Sequence, residues 1–216
     1  MKKLTVNKFW ENPYLTESES KVIEVNGNKV KLDKTIFYAF SGGQESDSGS
    51  IGGINVLEAV KLNGDIEYVL ERKPEFKVGD IVKVVIDFEK RLKIMKLHSA
   101  AHLVYELVKE LTGLKDLIGS NVHSDKSRID YNTEKNVNDF LKEVEEKTNE
   151  IVGQGLEVKV FDDSEKAGRR LWECGKWKMP CGGTHLKSTT EIGEVKLKRK
   201  NLGKGKERIE ISLKEV

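Results

Sequence analysis

The sequence predicts an α+β protein in two parts: an N-terminal small β-barrel over residues 1–87, then an α+β domain over residues 88–216 with two long helices packed on an antiparallel sheet. Three observations carry this reading. Up to residue 87, short alternating apolar runs are broken by turn residues. Over residues 87–91 the apolar period changes from two to that of a helix. Beyond residue 155 the short alternating runs return.

In the first part Val22, Ile23 and Val25 lead to Asn26-Gly27, after which Lys29-Val30-Lys31-Leu32 alternates, the pattern of a hairpin. Asn63-Gly64 repeats the device between residues 56–60 and 66–70, and the β-branched run at 81–87 reads as a buried barrel strand. Many short strands with frequent turns favour a closed barrel. Between the two hairpins stands Ser41-Gly42-Gly43-Gln44-Glu45-Ser46-Asp47-Ser48-Gly49. Its glycines permit positive φ and close approach of backbone to a ligand, and Ser41, Gln44 and Asp47 supply donors and acceptors. A turn-rich barrel loop accounts for the same residues. A phosphate-cradling P-loop is excluded because no Gly-Lys-Ser/Thr follows.

In the second part apolar residues from Ile94 to Leu111 recur at helical spacing up to Gly113, a C-cap. Residues 119–130 read as a hairpin turning at Ser124-Asp125-Lys126. Thr133 is placed to N-cap a second long helix, whose stripe of Val137, Phe140, Leu141, Val144, Thr148, Ile151 and Val152 stops at Gly153 and Gly155. Residues 156–160 alternate as a strand and 163–170 suggest a short helix. Strands at 193–198 and 209–213, joined across 201–206, complete the domain.

Charge excludes little and hydropathy excludes more. The formal net charge of +2 does not by itself indicate a nucleic-acid partner, but basic residues gather in the last third, among them Lys196, Lys198, Lys200, Lys204, Lys206 and Arg208. They read equally as a solvated hairpin face or a phosphate-binding surface. No apolar run is long enough to cross a bilayer, and MKKLTVNKFW lacks the apolar core of a signal peptide, so a cytoplasmic location is expected.

The chemistry gathers in two short motifs. His98-Ser99-Ala100-Ala101-His102 puts two imidazoles at i and i+4, on one helix face and about 6 Å apart. Cys181-Gly182-Gly183-Thr184-His185 sets a thiol and a third imidazole on a glycine-softened loop. Of the four histidines in the chain three fall in these motifs, which makes chance an unattractive explanation. One thiolate with three imidazoles suits Zn²⁺ better than oxygen-seeking Mg²⁺ or Ca²⁺. Four protein ligands form a closed shell, the mark of a structural site, whereas the adjacent glycines leave room for a substrate; both readings stay open. A His-Glu-x-x-His protease is excluded because Ser99 stands where its glutamate base belongs, and a nucleobase deaminase because no second cysteine follows Pro180-Cys181 at the required spacing.

With HSAAH, SGGQESDSG and CGGTH all present, the sequence resembles the editing domain of alanyl-tRNA synthetases. It resembles more closely their free-standing relatives, the AlaX proteins of medium length. The resemblance spans nearly the whole chain. It implies trans-editing, the hydrolysis of the ester joining serine, or glycine, to tRNA(Ala). It also implies one Zn²⁺ per chain on His98, His102, Cys181 and His185, and contact with mischarged tRNA(Ala) through Ser41, Gly42, Gly43, Gln44, Asp47, Arg128, Asp130 and Thr184. No membrane and no ATP are implied, and no side chain is marked as the general base. Ala101 stands where many synthetase editing domains have Thr, which leaves the choice between serine and glycine open. The alternative is a zinc-stapled tRNA-binding module without catalysis.

Overall fold

The computed structural model describes residues 5–62 and 64–214. The opening residues weighed above as a leader, and Asn63 of the second expected turn, thus lie at least partly outside the described residues. The chain divides into two compact units, Met1–Leu92 and Lys93–Val216, and is α+β with predominantly antiparallel sheets.

The first unit carries β1 (Val6–Asn7), β2 (Glu17–Asn26), β3 (Lys29–Leu32), β4 (Lys34–Thr35), β5 (Gly49–Ile51), β6 (Ile54–Leu62), β7 (Asp65–Leu70) and β8 (Ile81–Ile86). Strands β2-β3-β7-β6-β5-β8 pair in that order, and β8 pairs back onto β2 to close a barrel; β1 and β4 form a small parallel pair. The β2–β3 turn follows Asn26, with Gly27 at φ +63°, as a two-residue hairpin of this kind requires. Val82, Val84 and Ile86 are buried while Ile81 and Lys83 are exposed, so β8 is amphipathic rather than buried on both faces. Leu32, Phe37, Ile51, Tyr68, Leu70 and Val84 fill the interior. Gly49 permits the β5–β8 contact, because a Cβ there would stand 2.0 Å from the Val85 carbonyl oxygen.

The long helix α1 (Phe88–Thr112) starts where the Asp87 carboxylate accepts the Lys90 N–H, and it ends at Gly113, whose φ is +73°. The second unit then adds β9 (Leu117–Val122), β10 (Ser127–Asn132), α2 (Asn138–Gln154), β11 (Val158–Asp162), β12 (Arg170–Cys174), β13 (Trp177–Pro180), β14 (Val195–Gly203) and β15 (Lys206–Leu213). Two sheets result, β14-β15-β10-β9 and β11-β12-β13. Ser127, Ile129 and Tyr131 of β10 and Ile209 and Ile211 of β15 form the buried face of the larger sheet, and the Ser127 hydroxyl donates to the Leu97 carbonyl of α1. Helix α2 lies along the free edge of β14. Asn149 accepts the Val195 N–H at 2.8 Å and donates to its carbonyl at 2.9 Å, and Glu145 accepts the Leu197 N–H at 2.7 Å. These side chains satisfy backbone groups that would otherwise invite another strand.

Four local expectations change. Thr133 does not cap α2: its hydroxyl accepts the Lys135 N–H, and the helix begins five residues later at Asn138. Gly153 stays within α2, and Gly155, at φ +66°, ends it. Residues 163–170 form no helix, because Asp163 accepts the Glu165 N–H and binds Arg169 in a turn with Gly168 at φ +75°. The last two strands run further than expected, and their turn is confined to Lys204 and Gly205.

Candidate metal centre

Residues 83 apart in sequence meet because a helix face and a strand-end loop each present two donors. On α1 the imidazoles of His98 and His102 lie with ring centroids 4.7 Å apart, as one-turn spacing dictates. Cys181 directly follows β13, and its N–H donates to the Arg170 carbonyl of β12 at 2.9 Å. At the other end of the loop the Lys187 carbonyl accepts the Val158 N–H of β11 at 2.9 Å, and Ser188 with Glu191 closes a capping box. The loop carrying Cys181, Thr184 and His185 is therefore fastened to the three-stranded sheet at both ends.

The four donor atoms all lie within 4.8 Å of one another. Cys181 Sγ is 3.4 Å from His98 Nε2 and 3.2 Å from His185 Nε2. A tetrahedral zinc with ordinary Zn–S and Zn–N bonds would set such edges at about 3.5 Å. His102 Nε2 is buried and has no hydrogen-bond partner among the described residues, a costly state that a bound ion would relieve. Donor identity, spacing and this orphaned nitrogen all fit zinc.

Electrostatics prepare the same donors. Burial lowers His98 to about 4 and holds His102 and His185 well below the usual histidine range, the last two also through neighbouring imidazoles. All three are neutral at pH 7, the form that binds metal. Burial pushes the Cys181 thiol up to about 11, opposed by a hydrogen bond from the Gly183 backbone, so an incoming ion must displace the thiol proton. Cys174, also raised to about 11 by burial, is free and buried on β12.

The glycine-rich stretch belongs to the first unit. Gly42 and Gly43, at φ +58° and +82°, form the two-residue turn between Ser41 and Gln44, whose backbones pair at 3.0 and 3.4 Å. The Tyr38 hydroxyl contacts the Ser41 hydroxyl at 2.8 Å and donates to its carbonyl at 3.0 Å. Gln44 is buried, while Gly42 is exposed at the tip. Asp47 closes the base of the loop: its N–H donates to the Tyr38 carbonyl, and its carboxylate accepts the Tyr38 N–H at 2.7 Å and the Arg91 Nε–H at 2.7 Å. Arg91 and Asp47 side chains are both fully buried, and Arg91 also donates to the carbonyls of Pro13 and Ile36. Arg128 and Asp130 form a third group on β10, where Asp130 binds Arg128 and accepts two hydrogen bonds from Arg208 of β15, at 2.7 and 2.9 Å. Thr184 is buried in the metal loop beside His185.

Residues 170–210 match the family described as threonyl and alanyl tRNA synthetase second additional domain, and residues 5–90 match tRNA synthetases class II (A). The chain is 36% identical to the alanyl-tRNA editing protein AlaX-M of Pyrococcus horikoshii, over 97% of this chain and 98% of that one. The chain belongs to the AlaX family. It is also 34% identical to the alanine–tRNA ligase of Methanococcus vannielii and 34% identical to that of Campylobacter jejuni. Those matches cover 94% and 95% of this AlaX-family chain but 25% and 28% of the ligases.

Two features of this AlaX-family site escape sequence reasoning. Trp172 of β12 is fully buried with its ring 4.8 Å from His102, and its indole N–H has no hydrogen-bond partner among the described residues. Alternation of Trp172 with Cys174 around Gly175 is the signal that would have shown the β12–β13 hairpin. The second is the Gly183–Cys181 hydrogen bond, which steadies the thiolate.

Burial of neutral imidazoles predicts how the metal-free protein responds to acid. Unfolded histidines take up protons near pH 6.5, whereas folded His98 resists until about pH 4. Between those values the unfolded state binds more protons, so stability is fully present above about pH 6.5 and falls as pH drops toward 4. His98 alone accounts for about 3 kcal/mol of this loss. Urea midpoints measured in chelator should stay level from pH 7.5 to about 6.5 and decline from there to pH 4.5; a flat profile to pH 4.5 contradicts the assignment.

Proposed function

We propose that the chain is a trans-editing hydrolase that deacylates mischarged tRNA(Ala), chiefly seryl- and also glycyl-tRNA(Ala), at a site holding one Zn²⁺. The observation that carries this reading is the convergence of His98, His102, Cys181 and His185, with a partnerless buried Nε2, in a chain of the alanyl-tRNA editing family. Such work on free tRNA places the protein in the cytoplasm and needs no ATP, because the ester is already activated.

When bound, Zn²⁺ supplies a positive centre that can orient an amine or hydroxyl of the aminoacyl group. The chain's own residues do the rest. A Cβ at Gly182 would meet nothing within 4 Å, which leaves space beside the ligand loop for an acyl group. The Trp172 indole N–H, buried against His102, is a donor for a polar group of the substrate. Thr184 lines the same loop. The three imidazoles are neutral and committed to the metal, so proton removal from the attacking water falls to the ribose hydroxyl of the tRNA or to a pocket polar group. In the first unit, Ser41, Gly42, Gly43 and Gln44 form a pinned turn that supports the reading of a substrate-contacting loop, and Asp47 holds it in place. Arg128 and Asp130 contribute to substrate binding from β10.

A complete set of four protein ligands favours a second reading, a zinc-stapled tRNA-binding module. Deacylation of tRNA(Ala) charged separately with serine, glycine and alanine tests both. The editing reading expects serine to leave fastest and alanine slowest, with a difference of roughly 100-fold. Equal release of all three contradicts editing, and protection of all three esters supports the binding module.

A further inference from the structure

Apart from Leu202 beside the hairpin turn, the face of the larger sheet opposite its buried residues carries no aromatic or aliphatic side chain across β14, β15 and β10 among the described residues. Residues paired across an antiparallel sheet share a face. Register places Lys200 beside Arg208 and Arg208 beside Asp130, and in the next row Lys198 beside Glu210 and Glu210 beside Arg128. With Lys196, which pairs with Glu145 and Glu194, this band holds five cations against two carboxylates of its own.

The cations are not equivalent. Asp130, 6% exposed, lies beneath the two guanidinium groups and grips both, so Arg128 and Arg208 are held in fixed orientation while their side chains stay 32% and 20% exposed. Lys198 and Lys200 are exposed and make no ion pair among the described residues, and neither do Lys204 and Lys206 near the hairpin turn. The two lysines Lys142 and Lys147 of α2 are paired instead, with Glu146 and Glu143. Pinned arginines flanked by unpaired lysines suit a ligand that brings its own row of negative charges. Alternate residues along a strand stand about 6.8 Å apart, close to the interval between successive phosphates of a nucleic-acid strand. The band lacks the aromatic and aliphatic anchors on which a protein partner would depend.

We propose that this face, between Lys198 and Lys200 on one side and Arg128 and Arg208 on the other, holds the phosphate backbone of RNA. The inference rests on the reading that the chain acts on aminoacyl-tRNA, and it names the surface that retains the tRNA body. Contacts of this kind release counterions, so each lysine removed flattens the dependence of log affinity on log salt by about 0.9 on a duplex.

The test compares wild type, Lys198→Ala/Lys200→Ala and Lys142→Ala/Lys147→Ala. Binding of uncharged tRNA is followed by fluorescence anisotropy across a salt series, and deacylation of seryl-tRNA(Ala) is measured in parallel. The sheet-face variant is expected to bind about tenfold more weakly, with a salt slope shallower by about 1.8 and the catalytic loss carried by KM; the α2 variant keeps wild-type binding. Wild-type affinity and slope in the sheet-face variant overturn the proposal, as does an equal change in the α2 variant. So does capture of phosphatidylserine vesicles through these lysines when tRNA is not bound. Binding with the expected slope but no release of serine by wild type supports the RNA face and contradicts the editing reading instead.

Discussion

Cys181→Ala is expected to lose its metal and to lower deacylation of seryl-tRNA(Ala) by roughly 100-fold or more. Sγ is the one sulfur in the cluster and lies within 3.4 Å of two imidazole nitrogens, so its removal leaves three neutral imidazoles and an open corner. His102→Ala should act in the same direction and also leave a void against the fully buried Trp172. Cys174→Ala is the control. That residue is a free, buried cysteine on β12 outside the cluster, and its variant should retain metal at the wild-type ratio. Metal content by elemental analysis, measured beside turnover, checks the prediction. Full zinc content in Cys181→Ala would contradict the ligand set.

Breaking the Arg91–Asp47 pair should have the largest effect on stability. Both side chains are fully buried, and Arg91→Met would strand a buried carboxylate without its partner, at a cost of about 3–5 kcal/mol. The double variant Asp47→Asn/Arg91→Met should recover part of that loss, because it removes the uncompensated charge. Asp47→Ala alone releases Tyr38 and the base of the loop that presents Ser41, Gly42, Gly43 and Gln44, so it should reduce deacylation as well as the unfolding midpoint. Denaturation curves and turnover of these variants check the prediction. An unfolding midpoint unchanged in Arg91→Met would contradict it.

The four residues of the cluster were legible because each motif is local. A helix turn fixes the interval from His98 to His102, and a short glycine loop joins Cys181 to His185. The Asn26-Gly27 hairpin and the Gly113 cap were legible for the same reason: backbone conformation at a few adjacent residues decides them. What stayed hidden depends on distance in sequence or on side chains that compete with a helix. Arg91 and Asp47 stand 44 residues apart and only the closed strands bring them together. Thr133 and Asp163 have the residue types of caps, yet their oxygens accept N–H groups two residues on and form turns instead. The β12–β13 hairpin has strands of five and four residues and turns at Gly175-Lys176 without an Asn-Gly signal, so its alternation was too short to stand out. That hairpin is what carries Trp172 to His102 and leads into Cys181.

The most direct test is a time course of serine release from seryl-tRNA(Ala), with and without the zinc-loaded protein. The editing account predicts that the protein accelerates release many-fold over the spontaneous rate. It also predicts that acceleration disappears in Cys181→Ala. Release slowed below the spontaneous rate, or accelerated equally by the metal-free variant, would contradict it.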